Sequence, residues 1–398
     1  MSTAQSFLFF LILLGAAATA LRLVSRTAPL LPYPVLLAAG GILIGLIPGL
    51  RLPPVSPDLI LLAFVPGLVF EASLSLNLEE LWRRVVPVSL LATVGVFLTV
   101  LLIGGLGHYG LGFEWPSAFL LGAIVAATDP IAVVSLLRRL GAPKGLEAIL
   151  DGESLFNDGT GVAVFAAVLG TIASGQPSLV DASLRFLYVT GVGVAIGVAA
   201  GLAGVVFLRL VREAELEILI TLVLAYGSYL AADVIHASGV VAVVSAGIVV
   251  ARYGSRTGRL QGTQLHGFWS LLAFVLNAVL FLMVGIALPT QSLLAVGGLV
   301  IAGYAIMLAA RVIPVYALLA VADPRGRQIP WSWRHMTLWG GLRGALSVAL
   351  ALSVSGHPGV DPRVPLIAYG MVVLSLLVQG GLLLPLASAL RLRTAPVD

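Results

Sequence analysis

The sequence predicts an all-α polytopic membrane protein with 13 transmembrane helices. It predicts two inverted six-helix repeats, with broken helices 5 and 12 crossing at the midplane. Three observations point there. The 398 residues are 59% apolar and only 10% charged, and mean hydropathy is +1.08, whereas soluble chains carry about 25% charged residues. Apolar runs of spanning length recur from end to end, and Lys and Arg fall almost wholly between alternate runs. The same composition excludes a water-soluble enzyme of ordinary kind, and it excludes disorder, which needs low hydrophobicity. With no Cys, there is no disulfide framework, thiolate metal site or cysteine nucleophile.

A spanning helix needs roughly 20 predominantly apolar residues. The first run, 5–22, contains Ala18-Thr19-Ala20, which resembles a small-residue cleavage site. No Lys or Arg precedes Arg22, so the basic region of a leader is missing and the run is read as a span. Spans 2 to 4 follow at 33–50, 58–76 and 85–106, separated by Pro/Gly-rich or charged breaks. Span 5, 116–138, holds Thr128-Asp129-Pro130 about halfway along. Proline lacks an N–H and clashes with the preceding turn, so the helix should break there. Spans 6 to 11 are 147–174, 183–209, 215–233, 237–252, 268–288 and 292–320, the ninth being short. Span 12, 333–354, is interrupted by Gly340-Gly341-Leu342-Arg343-Gly344, and span 13 is 364–390. About eight residues follow it, so regulation is expected within the bundle or from a partner.

Orientation follows from the distribution of positive charge. After odd-numbered spans lie 17 Lys and Arg residues, including Arg22, Arg26, Arg83, Arg84, Arg138, Arg139, Lys144, Arg209, Arg212, Arg252, Arg256, Arg259 and Arg393. The other side has three, Arg51, Arg185 and Arg363. The N-terminus is therefore expected outside and the C-terminus in the cytoplasm. Trp82, Trp115, Trp269, Trp331 and Trp333 fall near span ends, where interfacial belts form. Thirteen spans divide as six, one and six, and the two sixes start on opposite sides. Inverted halves of this kind are a common plan of secondary transporters, whose sites lie near the midplane on interrupted helices. The two interruptions occupy corresponding places, each in the fifth helix of its half.

Six charged residues lie well inside spans: Glu71, Asp129, Glu153, Asp158, Arg311 and Arg343. Each costs roughly 2.5–3.5 kcal/mol on insertion scales and should face the interior or water. Four acids and two bases cannot all pair, so at least two carboxylates are left to take a proton or meet a cation. In span 6, Glu153 and Asn157 are four apart, as are Ser154 and Asp158, forming adjacent rows on one helix face. At 1.5 Å per residue Asp158 lies about 16 Å deep, near the midplane. Asp129 reaches a similar depth from the other side. Asp158, Asp129, the hydroxyls of Ser154 and Thr128, and carbonyls freed by the break make an oxygen-rich site suited to a hard cation. The plainer reading is that intramembrane Ser, Thr and Asn hold helices together. Glu153 suits a structural pair with an arginine, and Glu71 suits either a gate ligand or a buried partner.

Gly152-Glu-Ser-Leu-Phe-Asn-Asp158 resembles the signature of the NhaP-type and eukaryotic-exchanger branch of sodium/proton antiporters. Ala127-Thr-Asp-Pro130 is similar to that family's broken-helix motif, and Phe64-Val-Pro-Gly-Leu-Val-Phe-Glu71 to its third helix. Ala231-Ala-Asp-Val-Ile-His-Ala-Ser-Gly239 with the run to Gly247 resembles its eighth and ninth helices, and Gly341-Leu-Arg-Gly-Ala345 its second broken helix. The resemblance implies a homodimer with a mobile core and a dimer scaffold. The scaffold would comprise 1–84 and 215–290, the core 85–174 and 291–391, and a linker helix 183–212. It implies that Asp158 binds cation and proton, supported by Ser154, Asp129, Glu71 and Thr128, the last through its carbonyl. Asn157 stands where the electrogenic branch has Asp, which implies electroneutral exchange of one cation for one proton. Arg311 is the implied partner of Glu153, and Arg343 is expected to balance charge and half-helix ends in the second break. The sequence departs from the family at Asp233, where related chains often have Glu, and in lacking the long cytoplasmic tail of animal members.

The expected activity is exchange of Na⁺ or Li⁺ for H⁺ across a cell membrane, the prokaryotic inner or plasma membrane, by alternating access. Desolvation disfavours a bare carboxylate while nearby cations oppose that, so H⁺ and Na⁺ can displace one another at Asp158. The alternative is K⁺/H⁺ exchange by the same mechanism, since the same oxygen ligands serve all three ions. A cation channel is a further alternative; the inverted halves and the absence of a repeated filter loop argue against it. An intramembrane aspartyl protease is disfavoured because Thr-Asp-Pro and Asn-Asp-Gly are the wrong contexts. His266 and His335 are either tuners of a cytoplasmic pH response or ordinary interfacial histidines. Nothing suggests an organic cofactor, a nucleotide site or nucleic-acid binding; the expected partners are a monovalent cation, a proton, the lipid bilayer and a second copy of the chain.

Overall fold

The computed structural model describes residues 3–27, 33–47, 57–174, 179–211, 213–254, 263–286 and 295–392. Arg51, Arg212, Arg256, Arg259 and Arg393, counted in the charge asymmetry above, lie outside them, as do the ends of expected spans 2, 10 and 11.

The described residues form helices joined by short connections, with no strand among them. The chain opens with α1 (Thr3–Thr27) and α2 (Tyr33–Gly45). A π-helical stretch, Leu59–Phe64, leads into α3 (Val65–Ser75), and Asn77 then caps the short α4 (Leu78–Arg83) by accepting from the Glu80 N–H at 3.1 Å. Next come α5 (Val85–Leu90) and α6 (Val96–Leu111), continuous through a π-helical stretch. Gly112 ends α6 in the left-handed conformation, at φ 70°, which lacks a penalty only for glycine.

The expected span 5 is two half-helices, α7 (Trp115–Ile124) and α8 (Ile131–Arg139). Long helices follow: α9 (Lys144–Ser174), α10 (Leu179–Leu210), α11 (Ala214–Asp233), α12 (Gly239–Gly254), α13 (Thr263–Ile286) and α14 (Gly297–Ala322). Span 12 is again two half-helices, α15 (Trp331–Trp339) and α16 (Ala345–Ser353). The chain closes with α17 (Arg363–Leu374) and α18 (Gly380–Ala389), joined through a π-helical turn. Among the described residues, seven helical segments suffice by length and composition to cross a membrane, and five shorter apolar helices accompany them.

Helices in lipid gain little from apolar contact alone, so close backbone approach carries their packing. At the α2–α13 crossing a Cβ on Gly41 would lie 2.9 Å from the Gly285 Cα, and one on Gly285 would lie 2.8 Å from the Gly41 Cα. Only glycine fits at either place. α3 packs on α12 and α13, while α6 packs on α7 and α14 and α14 on α17.

One expectation is corrected. Trp269 does not belong to an interfacial belt: it is 1% exposed, tilted against Phe70 with ring centroids 4.8 Å apart. Its indole N–H donates to Thr221 Oγ1 at 3.1 Å, which is what lets an indole be buried. Trp82, Trp115 and Trp331 do project from the surface.

Candidate functional site

The two interruptions meet. Between α7 and α8 the backbone is non-helical from Ala127 to Pro130, and between α15 and α16 it is non-helical from Gly341 to Gly344. The Asp129 N–H donates to the Leu342 carbonyl at 2.8 Å, tying one break to the other. Gly344 allows this approach: a Cβ there would lie 2.5 Å from both the Cβ and Oδ2 of Asp129.

A helix that stops inside a protein leaves carbonyls without partners. Arg343, 0% exposed, answers that need from the opposite break, donating through Nη1 to the carbonyls of Ala126 at 2.7 Å and Ala127 at 3.1 Å. Its own backbone N–H donates to Ser375 Oγ at 2.8 Å. A guanidinium at the carbonyl end of α7 also balances the negative end of that half-helix.

α9 runs past the first break and fastens to it. Asn157 Nδ2 donates to Thr128 Oγ1 at 2.7 Å, and Asn157 Oδ1 accepts from the Thr128 N–H at 3.2 Å. Ser154 Oγ donates to the Thr128 carbonyl. Asn157 and Ser154 thus hold the backbone of the break, while Asp129 Oδ1 accepts from the Ile131 N–H at 3.0 Å.

Glu153 lies on the neighbouring row of α9 and forms a buried ion pair with Arg311 of α14, Oε1 to Nη2 at 2.7 Å. Arg311 also donates to the carbonyls of Thr337 at 3.1 Å and Leu338 at 3.3 Å, at the end of α15. The two arginines therefore serve the two broken helices, one at each.

Of the four acids inside spans, only Glu153 has an ion-pair partner among the described residues. Asp158, Asp129 and Glu71 all line one cavity of about 330 Å³, together with Thr128 and Ser154. Glu71 accepts from Ser75 Oγ at 2.8 Å. Asp158 has no hydrogen-bond or ion-pair partner among the described residues. Arg138 and Asp151, themselves paired at 3.0 Å, also line the cavity. Carboxylates, hydroxyls and carbonyls are hard oxygen ligands, and no thiolate or imidazole lines the cavity, so the donor set suits an alkali cation rather than a transition metal.

Sequence reasoning missed some groups on the same cavity. Asn277 and Ser347 both line it, yet each reads as an isolated polar residue in an apolar helix. Asn277 is the single polar residue in the run from Leu271 to Val284, and its cost in lipid is the signal that could have singled it out.

Two interrupted helices that meet beside carboxylates unpaired among the described residues, in a polytopic bundle, are the arrangement typical of a secondary transporter. The chain belongs to the sodium/hydrogen exchanger family: the model described as "Sodium/hydrogen exchanger, transmembrane" matches residues 9–389. Among its relatives, the Na⁺/H⁺ antiporter ApNhaP of Aphanothece halophytica is 36% identical over 359 residues, covering 88% of this chain and 68% of the relative. The Na⁺/H⁺ antiporter NhaP of Pseudomonas aeruginosa is 36% identical over 329 residues, covering 80% and 77%. In fold the chain is similar to the sodium proton antiporter MjNhaP1 of Methanocaldococcus jannaschii, with a TM-score of 0.76, 19% identity and 98% of each chain covered.

Proposed function

We propose that the protein is an electroneutral secondary antiporter that exchanges Na⁺ or Li⁺ for H⁺ by alternating access, with the two ions competing for Asp158. One observation carries the reading: an unpaired carboxylate, Asp158, faces a cavity beside a second, Asp129, at the point where two broken helices cross. A carboxylate there must bind either a proton or a cation to become neutral, and only a neutral site crosses a low-dielectric barrier easily. The empty, charged site is trapped, so each passage carries one ion or the other.

Ser154, Thr128, Asp129 and Glu71 complete the cation site, and Asn157 supports it as a neutral side chain. That neutrality supports one-for-one exchange, because a second acid at Asn157 would bring a second charge to the moving site. Glu153 and Arg311 cancel one another, and Arg343 is solvated by the helix-end carbonyls of Ala126 and Ala127.

The arrangement is 13 spans in two inverted halves. The core comprises residues 85–174 and 291–391, and the dimer scaffold 1–84 and 215–290, linked by 183–212. The N-terminus lies outside and the C-terminus in the cytoplasm, within a prokaryotic plasma membrane, as a homodimer. Arg138 and Asp151 line the cavity on the side rich in Lys and Arg, which supports an inward-facing cavity in this orientation.

The test is proton flux in proteoliposomes driven by Na⁺, Li⁺ or K⁺ pulses, with and without a clamped voltage. Voltage-independent flux with Na⁺ or Li⁺ is expected, and Asn157→Asp should make it voltage-dependent. Flux with K⁺ alone would reassign the ion. Voltage-dependent exchange by the wild type would overturn the one-for-one stoichiometry, and no flux with any ion would overturn the antiport reading.

A further inference from the structure

Two residues that line the cavity holding Asp158 carry neutral oxygens whose hydrogen-bonding capacity is unspent. Asn277 Oδ1, on α13, is buried with no hydrogen-bond partner, and so is Ser347 Oγ, in the first turn of α16. Both residues line the cavity. Buried polar atoms are almost always partnered, so each orphan needs an explanation.

Thr337 Oγ1 is also buried and unpartnered but does not line this cavity, and Ser347 contrasts with several buried hydroxyls that are satisfied. Ser73, Thr99 and Thr221 each donate to the carbonyl four residues back, at 2.7, 2.7 and 3.0 Å. Four residues before Ser347 is Arg343, inside the helix break, where the regular ladder is absent. Ser347 therefore starts a half-helix with its hydroxyl uncommitted. Asn277 has no such history of lost structure: it sits mid-helix in an unbroken apolar run, where an amide is costly unless something occupies the space beside it.

We propose that Asn277 and Ser347 are cation-specificity residues, neutral oxygen ligands that replace water on the incoming alkali ion as it approaches Asp158. The proposal rests on the antiport reading. Amide and hydroxyl oxygens coordinate a hard cation well but take no proton in the physiological range. They add to the affinity for the metal ion without adding to the affinity for H⁺, which separates two quantities that a lone carboxylate would keep locked together. Asn277 lies on the proposed scaffold and Ser347 on the proposed core, so the two oxygens meet the ion together only in the conformation described here.

The test is the apparent KM for Na⁺ and for Li⁺ in proteoliposomes, measured with the pH dependence of exchange at saturating cation. Asn277→Leu and Ser347→Ala should each raise the cation KM about five- to tenfold, the worth of one hydrogen-bonding ligand. The half-maximal pH at saturating cation should stay where it is. Asn277→Asp, which keeps an oxygen in the same volume, should restore a KM at or below that of the wild type. It also serves if Asn277→Leu fails to purify as a folded protein. A KM within twofold of wild type in folded Asn277→Leu and Ser347→Ala would overturn the proposal and leave the two oxygens as holders of water only. A shift in half-maximal pH equal to the change in KM would also overturn it, since that is the mark of an altered carboxylate. Absence of Na⁺- or Li⁺-driven flux in the wild type would instead overturn the antiport reading itself.

Discussion

At the scale of single residues, the charges inside the bundle divide into those that are spent and those that are free. Glu153 and Arg311 are spent on one another at 2.7 Å. Removing one partner of a buried pair strands the other, at a cost of about 3–5 kcal/mol. Arg311→Met should therefore lower the unfolding temperature in detergent substantially, and adding Glu153→Gln should recover much of the loss. Recovery will be incomplete, because Arg311 also donates to the Thr337 and Leu338 carbonyls. If the double variant is no more stable than Arg311→Met, the ion pair is not what holds α9 to α14. Asp158 is one of the free charges, and the one with neither a hydrogen-bond nor an ion-pair partner among the described residues. Asp158→Asn keeps the shape and removes both the charge and the titration, so we expect a folded protein with no cation-driven proton flux. Residual exchange in a monodisperse Asp158→Asn sample would move the coupling to another carboxylate.

At the scale of elements, the connection between α14 and α15 is organised by one carboxylate, Asp323. Its oxygens accept from the N–H groups of Ile329 and Gln328, both at 2.7 Å, and of Arg327 at 3.3 Å. Arg334 braces the same turn, donating to the Asp323 carbonyl at 3.1 Å and the Ile329 carbonyl at 3.2 Å. Burial pushes the Asp323 carboxyl up, but those Ile329, Gln328 and Arg327 N–H groups, with the Arg334 guanidinium, outweigh it and hold the carboxyl below its usual range. A folded-state pKa below the unfolded value of about 3.9 stabilises the protein fully above that pH, and the contribution is lost as pH falls through the folded value. Thermal unfolding scanned downward from neutral pH should show this loss in the wild type. Asp323→Asn should start lower at neutral pH and lack that share of the acid dependence; an unchanged acid limb would mean the turn does not feel Asp323's charge. The broken helices follow a related logic, because in each case a side chain supplies what the helix ladder no longer does.

At the scale of the whole molecule, the proposed mechanism requires the core to move against the scaffold. The absence of Cys in the sequence makes that directly testable, since any introduced pair reports alone. Gly159 on α9 and Val241 on α12 lie on opposite sides of the proposed boundary, and a Cβ on Gly159 would lie 3.8 Å from the Val241 Cβ. That separation is close to the mean for a disulfide. Oxidising the Gly159→Cys/Val241→Cys variant should lock the conformation and stop exchange, and reduction should restore it. Exchange that continues through the oxidised pair would mean that α9 and α12 travel together, and the division into core and scaffold would have to be redrawn.

The sequence by itself determined the setting and the cast: a helical membrane protein, interrupted at Pro130 and around Gly344, with more acids than bases at depth. These are properties of residue type and local order. Lipid penalises a charge, and proline or clustered glycine weakens a helix, whatever lies opposite. Tertiary structure alone decided the partnerships. Residue chemistry offered Glu153 two arginines, and the resemblance pointed to one. It is the packing of α14 that sets Arg311 beside Glu153 while Arg343 reaches the Ala126 and Ala127 carbonyls, more than 200 positions earlier. Trp269 looked interfacial because only its place along the helix was legible; its burial beside Phe70 and Thr221 depends on helices distant in sequence. Asn277 and Ser347 were silent for the same reason. An isolated amide or hydroxyl in an apolar run can face lipid, a neighbouring helix or a cavity, and only the angle at which its helix is packed selects among them.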